Sequence, residues 1–296
     1  MDYLQVIILA IVQGLTEFLP VSSSGHLVVG SAVMESLGFP HPPDLLEVNI
    51  VLHVGTLGSI LLFYSHKVWR LFKEDRQLIP RLIVGTIPAA VIGIPLKELA
   101  ENLLESPLLA GLMFPVTALI LLWATRQPVG DASYRNLSYA RTVRIGFMQA
   151  LAVLPGISRS GATIAAGLRE GLDRQSAVTF AFLLAIPVIG GAGLIEVTKL
   201  ARQTQHPDVT DSTSPQTAIP TADRLPTAAA PPAVNPPPAT QPTAPLTLVV
   251  GGLIAMLVGW LALWWLVRWI QAGRLGLFAW YLIPLGVTVV AWQLWN

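Results

Sequence analysis

The chain has 296 residues, of which 53% are hydrophobic and only 12% charged, about half the charged share of roughly 25% in soluble domains. With 18 Lys plus Arg against 17 Asp plus Glu, the net charge is +1. That leaves no basic footprint for nucleic acid and too few charges to cover a water-soluble enzyme of this size. The absence of Cys excludes a disulfide framework, a thiolate metal site and a Cys nucleophile.

A helical span needs about 20 mostly apolar residues. In chain order, the first apolar stretch covers 3–34 but is interrupted at Pro20–Gly25. No Lys or Arg precedes it, and no cleavage site follows at the spacing of a signal peptide, so it is read as part of the fold. Charge-free runs at 48–65, 82–96 and 107–125 predict three spans. A second broken stretch covers 145–168, interrupted at Pro155–Gly161. Runs at 175–195, 246–267 and 275–295 predict three more spans. Neither half of a broken stretch is long enough to cross a bilayer, so each is expected to be a re-entrant helix–loop–helix hairpin. Irregular backbone at that depth is tolerated only inside protein or beside a wet cavity. Segment 203–245 has 11 Pro in 43 residues, with many Thr and Ala. It cannot bury a core and is expected to be a disordered tether. Nine Trp suit anchors at the membrane surface.

Loop charges orient the bundle. Lys67, Arg70, Lys73, Arg76 and Arg81 lie in the 66–81 loop, Arg126, Arg135, Arg141 and Arg144 in the 126–144 loop, and Arg268 and Arg274 near 268–274. These loops are expected inside. The alternate loops hold Asp44, Glu47, Glu98, Glu101 and Glu105 with no Lys or Arg, and are expected outside with both termini and the 203–245 segment.

The two broken stretches resemble each other. Gln13–Gly14–Leu15 leads to Ser22–Ser23–Ser24–Gly25, and Gln149–Ala150–Leu151 leads over the same interval to Ser158–Arg159–Ser160–Gly161. Each is followed by three spans, and the first copy starts outside and the second inside. The expected fold is therefore an all-α polytopic membrane protein. It has six transmembrane helices and two re-entrant hairpins in an inverted-topology repeat. Repeat one covers about 1–125 and repeat two about 144–296, within a single domain of 1–296.

Each broken stretch holds an isolated charge. Glu17, with His26, is the acid of the first, and Arg159 is the only charge between Arg144 and Arg169. A lone charge at membrane depth costs on the order of 3 kcal/mol on insertion scales, so each needs a partner or water. A structural Glu17–Arg159 ion pair and a shared polar cavity both satisfy that need. Gln13 and Glu17 are spaced to share one helix face. Serines and a glycine preceding a new helix make an anion site of free N–H groups. Two opposed helix starts plus the Arg159 guanidinium would form a cage for phosphate or diphosphate.

The segments 13–26 (QGLTEFLPVSSSGH) and 155–163 (PGISRSGAT) resemble the two signature motifs of the undecaprenyl-diphosphate phosphatases, the bacitracin-resistance membrane family. The resemblance covers the chain apart from 203–245. It implies hydrolysis of a polyprenyl diphosphate lipid to its monophosphate and inorganic phosphate, which recycles the carrier of peptidoglycan synthesis. It also implies a multi-pass protein of the bacterial inner membrane, with a site open to the periplasm and a divalent cation, Mg²⁺ or Ca²⁺. On this resemblance Glu17, Ser23, His26 and Arg159 are catalytic candidates. Gln13, Ser22, Ser24, Gly25, Ser158, Ser160, Gly161 and Thr163 are substrate-binding candidates, and Glu17 and Gln13 are metal-ligand candidates. Many members carry a second Glu where this chain has Gln13, which leaves Glu17 as the principal acid.

The expected chemistry is phosphoryl transfer by positioning and charge neutralisation. Ser23 activated by His26 is the first candidate nucleophile, water the second and His26 itself the third. An inverted-repeat transporter or flippase for an anionic or polyprenyl-phosphate substrate is the alternative function, and a scaffold held by the ion pair is a third.

Overall fold

The computed structural model describes residues 3–38, 45–205 and 244–295. Most of the expected 203–245 tether, along with Asp2 and Asp44, lies outside them. Among the described residues there are twelve α-helices and no strand, with one isolated parallel bridge between Ala132 and Leu172. The helices are α1 (Tyr3–Phe18), α2 (Ser23–Ser36), α3 (Leu45–Phe63), α4 (Ser65–Lys73), α5 (Leu78–Leu99), α6 (Glu101–Leu104) and α7 (Pro107–Thr125). They continue with α8 (Tyr139–Leu151), α9 (Arg159–Arg169), α10 (Arg174–Gln205), α11 (Pro245–Gln271) and α12 (Leu277–Trp295).

Five helices, α5, α7, α10, α11 and α12, are long and apolar enough to cross a membrane. A sixth span forms if α3 and α4, bent by 74° at Tyr64, are counted as one. This is the composition of a multi-pass membrane protein. Large apolar side chains such as Leu119, Leu253, Leu257 and Trp280 face outward. An exposed apolar belt of that kind suits lipid and not water.

The ends of the elements follow local chemistry. α7 starts where Ser106 accepts the Leu109 N–H, with Pro107 in its first turn, and it ends at the charged Arg126. Several helices extend beyond the apolar runs, α10 the furthest, since it continues past 195 to Gln205 and takes in the first residues of the expected 203–245 tether. α8 begins at Tyr139, capped by Ser138, and buries Thr142, Ile145, Gly146 and Gln149 on one face, with Arg141 and Arg144 on the other. α4 occupies the expected 66–81 loop and buries Leu71. Both are amphipathic, so their charges interrupt an apolar run without ending the helix.

Helices cross closely where a side chain is missing. A Cβ on Gly286 of α12 would meet the Gly111 carbonyl oxygen of α7 at 2.7 Å. One on Gly14 of α1 would meet the Ala255 oxygen of α11 at 2.9 Å. Small residues at such crossings let backbones approach without lipid between them. The breaks after α1 and α8 converge on the central core, where Phe18, Leu19 and Val21 pack with Phe114, Ile164 and Phe182.

Candidate functional site

The two breaks touch and are bonded to each other. After α1, Pro20 cannot continue the helix, and Ser22 turns the chain at φ 72 before α2 begins. The Ser22 hydroxyl accepts two N–H groups, from Gly25 of its own helix at 3.3 Å and from Gly156 of the other break at 3.0 Å. Ser160 answers from the second break by donating to the Leu19 carbonyl at 3.1 Å. Thr117 of α7 pins the second tip, donating to the Gly156 carbonyl at 2.7 Å and accepting the Ser158 N–H at 3.0 Å. Ser158 caps α9 by accepting the Gly161 N–H at 3.1 Å, as Ser22 caps α2.

One carboxylate ties the polar residues together. Glu17 Oε2 accepts the Ser23 hydroxyl at 2.6 Å and the Gln13 amide at 3.0 Å. Its Oε1 accepts the Arg159 guanidinium at 2.5 Å. Gln13 and Glu17 are buried, and the Arg159 side chain is 14% exposed. The Glu17–Arg159 ion pair therefore exists, and it borders a cavity. Glu17, Ser22, Ser23, Ser24, Ser158 and Arg159 line a space of about 170 Å³ whose other walls include Ala152, Ile157, Val188 and Ile189. Arg159 Nη1 and Gln13 Oε1 are buried without a hydrogen-bond partner. A buried, unpaired guanidinium N–H beside two helix starts is a donor waiting for an anion.

The expected residues divide into three groups. Gln13, Glu17, Ser23 and Arg159 form the bonded cluster, and Ser22, Ser24 and Ser158 share its cavity. Gly25, Ser160, Gly161 and Thr163 lie in the seam between the tips. There a Cβ on Gly25 would meet Gly156 N at 2.7 Å, and Thr163 bonds back to the Arg159 carbonyl at 2.8 Å. Their visible role is to hold the tips. His26 stands apart. Its Nδ1 meets the Ser22 carbonyl at 2.7 Å and its Nε2 the Tyr281 hydroxyl at 2.8 Å, and the ring packs against Phe114 and Tyr281. With both nitrogens engaged away from Ser23, His26 does not activate that hydroxyl here; Glu17 holds it instead.

The residue that sequence reasoning passed over is His53 of α3, which lines the same cavity. It sits inside the 48–65 run. An imidazole in the middle of an apolar span was the signal available.

Among the described residues no group of three or more His, Asp or Glu is placed to hold an ion. The donors present, the Glu17 carboxylate and the orphaned Gln13 Oε1, fit a cation that takes most of its ligands from phosphate and water.

The model of the family described as bacitracin resistance protein BacA matches residues 6–288. An undecaprenyl-diphosphatase of Rhodopirellula baltica is 40% identical over 289 residues, covering 98% of this chain and 97% of its own length. One from Carboxydothermus hydrogenoformans is 33% identical over 294 residues, covering 99% and 98%. Another, from Desulfatibacillum aliphaticivorans, is 34% identical over 314 residues, covering 98% of each. With the match running from α1 through both tips and into α12, the chain belongs to the bacitracin resistance protein BacA family.

Proposed function

We propose that this chain hydrolyses undecaprenyl diphosphate to undecaprenyl phosphate and inorganic phosphate. It thereby recycles the lipid carrier of peptidoglycan synthesis and confers bacitracin resistance. One observation carries the chemistry: the Ser23 hydroxyl is bonded to a carboxylate that is itself held by Arg159, and that guanidinium keeps a free N–H. Glu17 removes the Ser23 proton as Ser23 Oγ attacks the terminal phosphorus. Arg159 Nη1 and the starts of α2 and α9 hold the phosphate oxygens, which is the positioning and charge neutralisation that phosphoryl transfer needs. Gln13 orients the Glu17 carboxylate. The apolar wall of Ile157, Val188 and Ile189 receives the first part of the prenyl tail.

Glu17 and Gln13 Oε1 would hold a divalent cation, Mg²⁺ or Ca²⁺, together with the substrate's own oxygens. When bound, such an ion neutralises charge on the diphosphate.

In this reading α1–α2 and α8–α9 are re-entrant hairpins of an inverted repeat, about 1–125 and 144–296, in one integral membrane domain. Helix pairing supports it. α1 packs on α11 while α8 packs on α5, its exchanged counterpart, and α3 pairs with α10 and α7 with α12 across the repeats. In the same reading the protein sits in the bacterial inner membrane with the cavity open to the periplasm, as the family resemblance implies, and the basic loops of 66–81, 126–144 and 268–274 lie inside.

The experiment is phosphate release from undecaprenyl diphosphate by the detergent-purified protein, without a membrane gradient, with and without a chelator, for wild type and Glu17→Gln. Wild type turns over, the chelator stops it until a cation is restored, and Glu17→Gln loses at least 10²-fold. Absence of phosphate release by a folded wild type would leave the inverted repeat as a transporter or flippase. A chelator without effect would remove the cation.

A further inference from the structure

We propose that His53 is the general base of the second half of the reaction, activating the water that hydrolyses a phosphorylated Ser23. The proposal rests on the serine-nucleophile reading above. Three ionisable side chains line the cavity: Glu17 from α1, Arg159 from the second tip and His53 from α3. α10 contributes Val188, Ile189 and Ala192, with no titratable group. The Arg159 guanidinium carries only N–H donors and no acceptor. Glu17 has both oxygens engaged, by Arg159 on one side and by Ser23 and Gln13 on the other.

His53 differs from both. Its Nδ1 lies 2.8 Å from the carbonyl oxygen of Asn49, one turn earlier in α3. A carbonyl can only accept, so Nδ1 carries the proton and the lone pair of the neutral ring is on Nε2. Nε2 has no hydrogen-bond partner among the described residues, and the ring borders the cavity. A backbone carbonyl thus fixes tautomer and ring orientation, leaving a basic nitrogen for the substrate space. This is the arrangement a general base requires. His26 is held by the same Nδ1-to-carbonyl contact, but its Nε2 is occupied by the Tyr281 hydroxyl. Of the two imidazoles, only His53 has a nitrogen to give.

The steps balance. First the Ser23 Oγ–P bond forms and the bridging P–O bond breaks. The Ser23 proton moves to Glu17, and the lipid monophosphate leaves. Then a water oxygen–P bond forms and the P–Oγ bond breaks. The water proton passes to His53 Nε2, and Glu17 returns its proton to Ser23. Inorganic phosphate departs, and His53 releases its proton to solvent.

Rapid-quench turnover of undecaprenyl diphosphate by purified full-length wild type, His53→Ala, His53→Gln and Ser23→Ala tests this. Folding of each variant is checked by its thermal midpoint in detergent. Both His53 variants should release about one equivalent of lipid monophosphate per protein in the first turnover and then slow by about 10²- to 10⁴-fold. Phosphate should accumulate on Ser23 and be detectable by mass spectrometry. His53→Gln keeps a polar side chain without a base, so it reads the role even if His53→Ala does not fold. Steady turnover within threefold of wild type in a folded His53 variant overturns the proposal. So does full rescue by Gln, which would mark a binding role, or a lost first turnover without phosphoserine. A Ser23→Ala protein that still turns over instead sinks the serine-nucleophile reading itself, whatever His53 does.

Discussion

The first and second tips are built alike and carry different ionisable side chains. Gln13 matches Gln149, Ser22 matches Ser158, Ser24 matches Ser160 and Gly25 matches Gly161, whereas Glu17, Ser23 and His26 fall opposite Val153, Arg159 and Ala162. Among the matched residues, the serines cap helices and cross-bond the tips, and the glycines let them touch. At the unmatched positions the first tip brings an acid and a hydroxyl, and the second brings a cation. The turn residues diverge too. Gly156 takes φ 92 without steric penalty, while Ser22 holds φ 72 with a side chain, a strain of about 1–3 kcal/mol. Its two accepted N–H bonds hold that turn in place. The pair teaches that the matched residues clamp the tips together, while the ionisable side chains Glu17, His26 and Arg159 sit at the positions that differ.

The largest expected effect breaks that division of labour. Arg159→Ala should cost 10³-fold or more in phosphate release, on the scale of an arginine that stabilises a transferring phosphoryl group. Arg159→Lys should recover part of it, since Lys keeps the charge on Glu17 without the second N–H of the fork. Removing one member of a buried pair also costs about 3–5 kcal/mol of stability, so the thermal midpoint must be read beside the rate. A folded Arg159→Ala protein with near wild-type release would mean that the second tip is only a prop.

A smaller effect sharpens the clamp. A Cβ at Gly25 meets backbone, Gly156 N at 2.7 Å and Gly156 Cα at 2.9 Å, as well as the Phe114 ring. At Gly161 the nearest atoms are side-chain atoms of Leu121, Pro20 and Ser158, each at 3.2 Å. Backbone cannot step aside, so Gly25→Ala should destabilise by about 1–3 kcal/mol and slow turnover by separating the tips. Gly161→Ala should do less of both. Unfolding midpoints and phosphate release for the two variants check the ranking, and a reversed order would show that the tips do not bear on each other at Gly25.

Much of this was legible in the chain because lipid makes hydrophobicity nearly one-dimensional. Pro107 and Arg126 bracket α7 at the residues where the apolar run starts and stops. Both breaks were visible because Pro, Ser and Gly cluster there. What stayed hidden depends on partners distant in sequence or on faces. α8 starts at Tyr139 because Arg141 and Arg144 point away from its buried face, a distinction that a run of apolar letters does not make. His26 invites a catalytic reading until Tyr281, from the last helix, takes its Nε2. His53 is not legible inside an apolar run, since nothing local shows that α3 borders the cavity.

The smallest effect lies at the base of the second hairpin. Glu170, at the C-cap of α9, accepts Arg144 of α8 through both oxygens, at 2.7 and 2.6 Å, and so ties the two arms together. The hydrogen bonds to Arg144 hold its carboxyl below the ordinary 4.5, outweighing partial burial, with the charges of Arg144, Arg141 and Arg169 assisting. A carboxyl depressed in the folded state contributes stability in full above its unfolded value. That contribution is lost as pH falls below 4.5 and through the lower folded value. Arg144 is 57% exposed, so water and salt screen the pair and the effect should fall below that of Gly25→Ala. Unfolding midpoints of wild type and Glu170→Gln, followed from pH 7 into the acid range, should therefore differ at neutral pH and converge as the pH falls through the lowered folded value. Release rates at pH 7 should stay within twofold, because the pair secures the arms of the hairpin and not the position of Arg159. Parallel midpoint curves would mean that α8 and α9 are held by their apolar faces alone.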